Sequence, residues 1–432
     1  MINRRLFIAS AASLGAASLP LALSRNAYAA EDTVEIEVMH AMPGQDAYFN
    51  QVAEAFMKRH PEIKVKFRAS PADYASGHQA VLRGAITRSL PDVYHSAWIY
   101  FKEAVTQLDK RRAIVDLTPL VAKEGKAWVE ANYYPSMLGL GAVNGKQYAL
   151  PFAASTPVHF FNADLVKAAG GDSEHFPTDW NELIALAGCI KALGNDLSGM
   201  AFDIHSWPDD WLWQAVVMER GGSLMAPDGK HCGFNNSIGL DALKFCARVM
   251  KEGGMTMRDF DQSRQAFVAG KVGFIMASPN SARAFNDLIG TRFKLGCQIY
   301  PRADKAKGRV PTGGNGAVIL AKDEKKIAAA WEYIKFACGP EGQKIAVLGS
   351  GYMPTNKLAE APEYLGDFYK KNPNWYTPVK QAPYAAAWQG YTGTNGVKIW
   401  YTQRDIIGRV MRGELTPENA LPILVKATEA LF

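Results

Sequence analysis

Five cysteines in 432 residues, widely spaced and without a C-x-x-C pair, exclude a disulfide framework and a cysteine zinc site. Cys189, Cys246 and Cys338 fall in helical patterns and read as small core residues, Cys232 and Cys297 outside them, and one disulfide between some pair stays open. Charge of one sign is also scarce: 48 Lys and Arg stand against 42 Asp and Glu. No basic stripe forms, so nucleic acid is not an expected partner. Past the N-terminus no apolar run is long enough to span a bilayer. Internal repeats and low-complexity linkers are missing as well. Catalytic signatures are equally thin. No H-E-x-x-H occurs, "VLGSGY" has Leu348 where G-x-S-x-G needs its first glycine, and "GLGAVNG" lacks the last glycine of a dinucleotide fingerprint. Eight histidines are dispersed with no metal-ligand spacing, so neither a metal nor a cofactor is expected. The pair Asp209 and Asp210 in "WPDDW" reads as helix-start acids favoured by the helix dipole.

What is present begins with "MINRRLFIASAASLGAASLPLALSRNAYAAEDT". Two arginines, a weakly apolar run rich in small residues and the triplet Ala27-Tyr28-Ala29 compose an export signal over 1–29, cleaved near Ala29. "NRRLF" resembles a twin-arginine signal. Cleavage removes Arg4, Arg5 and Arg25 and no acid, lowering the formal net charge from +6 to +3. A protein soluble outside the cytoplasm is the expectation.

The remainder has 48% hydrophobic and 21% charged residues, the balance of a globular protein. "TVEIEVMHAM" alternates as a half-buried strand, "DAYFNQVAEAFMKRH" has helical spacing, and "PEIKVKFRAS" alternates again. That βαβ order predicts a parallel pair. "GHQAVLRGAIT" reads as a helix, "PDVYHSAW", "YALPF", "VHFFN" and "GAVILAKD" as strands. "DWNELIALAGCIKALG", capped by Thr178, "SIGLDALKFCARVMKEGG" and "KIAAAWEYIKFAC" read as helices. "KVGFIMASPNSARAF" runs strand, turn, helix, and the tail holds two helices about a Gly-Glu-Leu-Thr-Pro turn. Alternating elements over so long a chain argue for an α/β architecture in two lobes, linked by several crossings of the chain.

Ten Trp and seventeen Tyr are more than cores usually need. Many sit in polar turns at element ends: "HAMPGQ", "ADYASG", "VYHSAW", "FAASTP", "HSWPDDWLW", "MASPNSA", "TGGNG", "GSGYMPTN" and "WQGYTGTNG". Rings that stack on the C–H face of a sugar, beside groups that bind its hydroxyls, give such turns a shared purpose. His40 ends a strand just before a glycine turn, where ligands bind in open α/β sheets, and is a candidate contact.

"YALPFAASTPVHFFNADLVKAAG", "FPTDWNELIALA", "AFVAGKVGFIMASPNSA", "AAAWEYIKFAC", "GSGYMPTN" and "RGELTPENAL" together carry a likeness across the chain after the signal. It resembles the extracellular solute-binding proteins of ABC importers, the group that includes the maltose- and glycerol-3-phosphate-binding proteins. The resemblance implies a periplasmic-binding-protein-like α/β fold, with two lobes, a multi-strand hinge and a ligand cleft between them. Residues 30–153 and 275–320 would form one lobe, and 154–274 with 321–432 the other. Pro151 and Pro157 would mark the first crossing, with Ser155 facing the cleft. Tyr74, Ser155, Ser278, Gly314 and Tyr352 match positions that contact glycerol phosphate in that branch, and Gly313 stands beside Gly314. Trp98 falls where the branch has a carboxylate for glycerol hydroxyls, and Thr392 where it has a phosphate-binding arginine. Those two departures favour an unphosphorylated sugar, glycoside or polyol. Trp207, Trp211 and Trp388 are then the stacking candidates, and Gln45 and Asp92 the hydroxyl contacts. The implied partners are that small carbohydrate or polyol and the permease subunits of an ABC transporter. Glycerol 3-phosphate or a glycerophosphodiester is the alternative ligand; a secreted glycoside hydrolase or lyase is the alternative of another class.

Overall fold

A computed structural model describes residues 33–391 and 393–432. The expected export signal and Thr392 lie outside the described residues. Twelve strands occur in chain order: β1 Val34–Met39, β2 Ile63–Phe67, β3 Val93–Ala97, β4 Ala142–Val143, β5 Lys146–Gln147, β6 Ala149–Ser155, β7 Val158–Asn162, β8 Ser198–Ala201, β9 Val272–Ala277, β10 Leu295–Ile299, β11 Val310–Ile319 and β12 Ala385–Ala387. The first sheet has the order β12-β11-β3-β1-β2, with β6 also paired to β11. The second has the order β10-β7-β9-β8, and β4 with β5 makes a small hairpin.

Sequence logic accounts for the pairing. β1 and β2 run parallel, Val34 opposite Ile63, because the helix Asp46–Arg59 carries the chain back between them. That helix buries Tyr48, Phe49, Val52, Ala53 and Phe56 on one face. β3 joins β1 in parallel, whereas β11 runs antiparallel to both β3 and β6. All ten residues of β11 are buried, as expected of a strand covered on both faces. A register shift between Asn315 and Gly316 interrupts its pairing with β6 within the first sheet. Gly314 has φ +106 and an added Cβ would stand 2.1 Å from the Ala153 carbonyl oxygen, so both conformation and space demand glycine there.

Sheet membership corrects the expected lobe boundaries. β9 lies between β7 and β8, and β10 pairs with β7, so residues 275–299 belong with the second sheet rather than the first. The helices Glu324–Ala337 and Pro340–Ser350 pack on β1 and on the helix Asp46–Arg59, so 324–350 belong with the first sheet. The return crossing therefore comes with β11, later than alternation alone suggests. A smaller correction concerns Thr178: the helix Trp180–Ala192 is capped by Asp179, whose carboxylate accepts the N–H groups of Asn181 and Glu182. All five cysteines are free thiols. Cys232, Cys246 and Cys338 are buried and Cys297 half-buried, but Cys189 is exposed, on the outer side of its helix instead of in the core. Among the described residues no helix is long and apolar enough to cross a membrane.

Candidate functional site

The ends of β1 and β3 face those of β8 and β9 across a cleft of about 240 Å³, floored by Ser155 of β6 and by Gly313 and Gly314 of β11. Ligands favour this position, at the carboxyl ends of strands and between two sheets. A wider hollow of about 400 Å³ beside Tyr133, Pro135 and Lys357 brings together no comparable set of rings and polar groups.

One wall is aromatic. After β8 the chain turns through Trp207, Pro208 and Asp209, and the Asp209 carboxylate accepts the Trp211 N–H at 3.2 Å. The turn opens the helix Trp211–Met218, which is apolar enough to be buried on every side. Trp207 and Trp211 stand 5.9 Å apart between ring centroids, Trp211 and Trp388 6.3 Å, and Phe260 meets Trp207 edge-on at 4.5 Å. Hydrogen bonds fix the rings: Trp211 donates to the Pro311 carbonyl at 3.0 Å, and Trp388 to Asp210 at 2.8 Å. Asp210 also accepts from Gln214 at 3.1 Å. The row therefore presents rigid faces, at little entropic cost when a ligand stacks on them.

The opposite side and floor are polar. Asp73 caps the helix Tyr74–Thr87 through the Ser76 N–H at 2.7 Å, placing Tyr74 at the cleft. Asn315 donates to the Tyr74 hydroxyl at 3.2 Å, and Asn280 to the Tyr352 hydroxyl at 3.2 Å. Asn280 follows β9 and Tyr74 follows β2, so these bonds bring groups of both sheets to one spot. An added Cβ on Gly313 would stand 2.8 Å from Ser155 Oγ and 3.1 Å from Trp211 Nε1. Glycine there lets the floor approach the aromatic wall.

The electrostatics keep several groups uncharged. Burial pushes Tyr352 up to about 12 and Tyr74 well above its usual value, so both remain hydroxyls at neutral pH. Burial, helped by the neighbouring Asp210, pushes Asp209 up to about 8. Asp210 is raised by burial to about 6, its bonds from Trp388 and Gln214 pulling it back. Among the described residues no group of three His, Cys, Asp or Glu is placed to hold a metal ion.

Of the residues expected from sequence, Tyr74, Ser155, Trp207, Trp211, Ser278, Gly313, Gly314, Tyr352 and Trp388 line the cleft. Four others do not. His40 is buried against Phe49, rings 3.8 Å apart, and bonded to Ser70 at 2.8 Å; the next residue, Ala41, reaches the lining. Its imidazole is lowered to about 4 by that burial and serves the core. Asp92 precedes β3, at the end away from the cleft, where it accepts the Glu37 N–H and pairs with Lys326 at 2.8 Å. Trp98 is buried, donates to the Ala153 carbonyl at 3.2 Å and presses on Gly316, a packing role below the floor. Gln45 is half-buried outside the lining. The pair Asp209 and Asp210 does more than start a helix, since Asp209 lines the cleft and Asp210 anchors Trp388.

Asp73, Tyr100, Phe260, Arg264 and Asn280 also line the cleft and were not expected from sequence. Asp73 and Asn280 belong to turns the sequence does mark, "ADYASG" and "MASPNSA". Tyr100, Phe260 and Arg264 lie on helices with ordinary periodicity; the i, i+4 pair of Phe260 and Arg264 behind a capping box was the only available signal.

Comparison with known proteins bears on the fold and the family. The sn-glycerol-3-phosphate-binding periplasmic protein UgpB of Escherichia coli is 23% identical over 442 residues, covering 99% of this chain and 97% of that protein. Its counterpart in Rhizobium meliloti is 22% identical over 414 residues, covering 93% and 94%. UgpB from Mycobacterium tuberculosis in complex with glycerophosphocholine superposes with a TM-score of 0.78 at 20% identity, covering 92% of this chain and 98% of that one. The sugar-binding protein MalE of Xanthomonas citri gives 0.77 at 19%, covering 92% and 97%. Residues 42–344 match the family of bacterial extracellular solute-binding proteins, and the chain, with its two sheets closing on an aromatic and hydroxyl-lined cleft, belongs to that family.

Proposed function

We propose that the protein binds one small sugar, glycoside or polyol in this cleft, reversibly and without chemistry, and delivers it as a periplasmic monomer to the permease subunits of an ABC importer. The observation that carries the reading is the pairing of one aromatic wall with hydroxyl and amide groups drawn from both sheets. Ring faces take the apolar side of a sugar, while Tyr74, Tyr352, Ser155 and Asn280 bond its hydroxyls. A cleft of about 240 Å³ is below the roughly 300–1,000 Å³ of drug-sized sites, which favours a compact ligand over a long oligosaccharide. Contacts to both sheets would make the liganded arrangement the favoured one, as a population shift requires.

A thermal-shift screen of mono- and disaccharides, glycosides and polyols tests the reading. A true ligand raises the melting temperature progressively with concentration, because it binds only the folded chain. Ligand recovered after long incubation should be chemically unchanged. Conversion to a product would replace the receptor by an enzyme.

A further inference from the structure

Asp209 and Asp210 are adjacent carboxyls in the turn that opens the helix Trp211–Met218, and among the described residues neither is ion-paired to a cation. Two like charges so close, with little water between them, oppose each other. Their hydrogen bonds decide which one keeps the charge. Asp210 accepts from the Trp388 indole at 2.8 Å and from the Gln214 amide at 3.1 Å. Asp209 accepts the longer bond, from the Trp211 N–H at 3.2 Å, with weaker help from the Trp207 indole. Asp210 is therefore the better-solvated anion, and the proton rests on Asp209. Titration of the pair follows that order, about 6 for Asp210 and about 8 for Asp209.

The neighbouring elements keep it there. Asp73 adds a like charge from the turn before the helix Tyr74–Thr87. Tyr100, of the helix Trp98–Asp109, and Tyr352 face Asp209 as neutral hydroxyls. Arg264 lines the cleft from the helix Phe260–Val268, but the carboxylate whose charge reaches it is Asp261 of its own helix. A carboxylic acid has what a carboxylate lacks, an O–H to donate. Asp209 stands in the chain between Trp207 and Trp211, two rings of the wall, and is half-buried, so part of it still meets the water of the cleft. A ligand stacked on those rings displaces that water. An ionised Asp209 would then lose its solvent beside Asp210 and Asp73, whereas the acid loses little. The occupied cleft therefore favours the protonated form more strongly than the empty one does.

Resting on the sugar-receptor reading above, we propose that Asp209 is a specificity-determining residue of the cleft: as a neutral acid it donates its O–H to an uncharged oxygen of the stacked ligand, and the ligand is held less tightly once that proton is lost. Ring, glycosidic and hydroxyl oxygens all accept such a bond. Binding then takes up a proton wherever the empty receptor has already released it, and affinity falls as pH rises past that point.

The test is calorimetric titration of the full chain, of D209N and of D209A across neutral and mildly alkaline pH, with glucose, methyl glucoside and glycerol as probes. Beside it, carbon NMR of the carboxyl groups in aspartate-labelled protein needs no probe. The carboxyl signal missing from D209N should be that of an acid at neutral pH, and should move as pH rises through about 8. A probe that binds should lose affinity above that pH, approaching about tenfold per pH unit, with uptake of one proton. D209N, which keeps a donor but cannot ionise, should show no such fall, and D209A should bind tenfold or more weakly at neutral pH. Affinity that stays flat or rises with pH, or a fall that persists in D209N, would overturn the donor role and leave the sugar receptor standing. An ionised Asp209 signal at neutral pH would overturn it as well. Failure of every probe, beside an acid signal, would overturn the sugar receptor and the donor role with it, and only the buried acid would stand.

Discussion

Trp388 has two duties that a substitution can separate. Its ring completes the aromatic row, and its indole N–H ends on the buried Asp210. Trp388→Ala should weaken ligand binding tenfold or more, about 1.4 kcal/mol, read by calorimetry. Trp388→Phe should keep most of the binding yet lower the urea midpoint, because a buried acceptor loses a donor, a cost of about 1–3 kcal/mol. Equal affinity in the alanine variant would take the ring out of the site. Asp203 is a different residue-scale case. It is fully buried, with Ser263 donating to one oxygen at 2.8 Å, and burial pushes it up to about 8. An acid that titrates near 8 folded and about 4 unfolded holds its proton more firmly in the fold. The stability it contributes is present at low pH and is lost as pH rises toward 8. Glu219, raised to about 7, works in the same direction. The buried imidazoles His95 and His159, lowered to about 3, act oppositely, and only below their unfolded value of about 6.5. Between pH 6.5 and 8 the melting temperature should therefore fall, and Asp203→Asn should flatten that slope. An unchanged slope in the variant would assign it elsewhere.

At the scale of elements, β11 is the piece on which the two halves depend. It pairs with β3 and β6 at one end and with β12 at the other, and its pairing with β6 is interrupted at the Asn315–Gly316 irregularity. Gly314→Ala would force a side chain into a positive-φ position against the Ala153 carbonyl, costing about 1–3 kcal/mol. Denaturant titration measures this, and a wild-type midpoint would mean that the crossing has room to give. The strands and helices were legible in sequence because alternation and 3.6-residue spacing are local signals; the cap at Asp179, one residue past the expected Thr178, shows that element ends are read less closely. Sheet membership was not legible. Nothing in "KVGFIMA" states that β9 will lie between β7 and β8, since a fully buried strand carries the same residues in either sheet. The site divides similarly. Trp207, Ser278 and Tyr352 stand in turns whose composition marks them, while Arg264 is hidden in a helix and only tertiary packing brings it to the lining. His40 shows the reverse error: its place at a strand end suited a ligand, but stacking on Phe49 claims it for the core.

For the whole molecule, the shared strands predict one cooperative transition. β6 and β11 pair over six positions, β6 leads directly into β7 of the second sheet and β11 follows β10 of that sheet, so neither sheet should melt alone. Saturation at a hundred times the dissociation constant should then raise the unfolding free energy by about 2.7 kcal/mol as a single step in calorimetry. Two resolved transitions, only one of them ligand-sensitive, would mean that the crossings do not couple the halves.

The exposed thiol of Cys189 has a practical consequence. It lies on the helix Trp180–Ala192, which packs on β8, and it is not part of the cleft lining, while the other four thiols are buried or half-buried. A maleimide dye added in mild buffer should couple once, at a known address. The same thiol would let the receptor be tethered to a sensor chip in one orientation with its ligand entrance free.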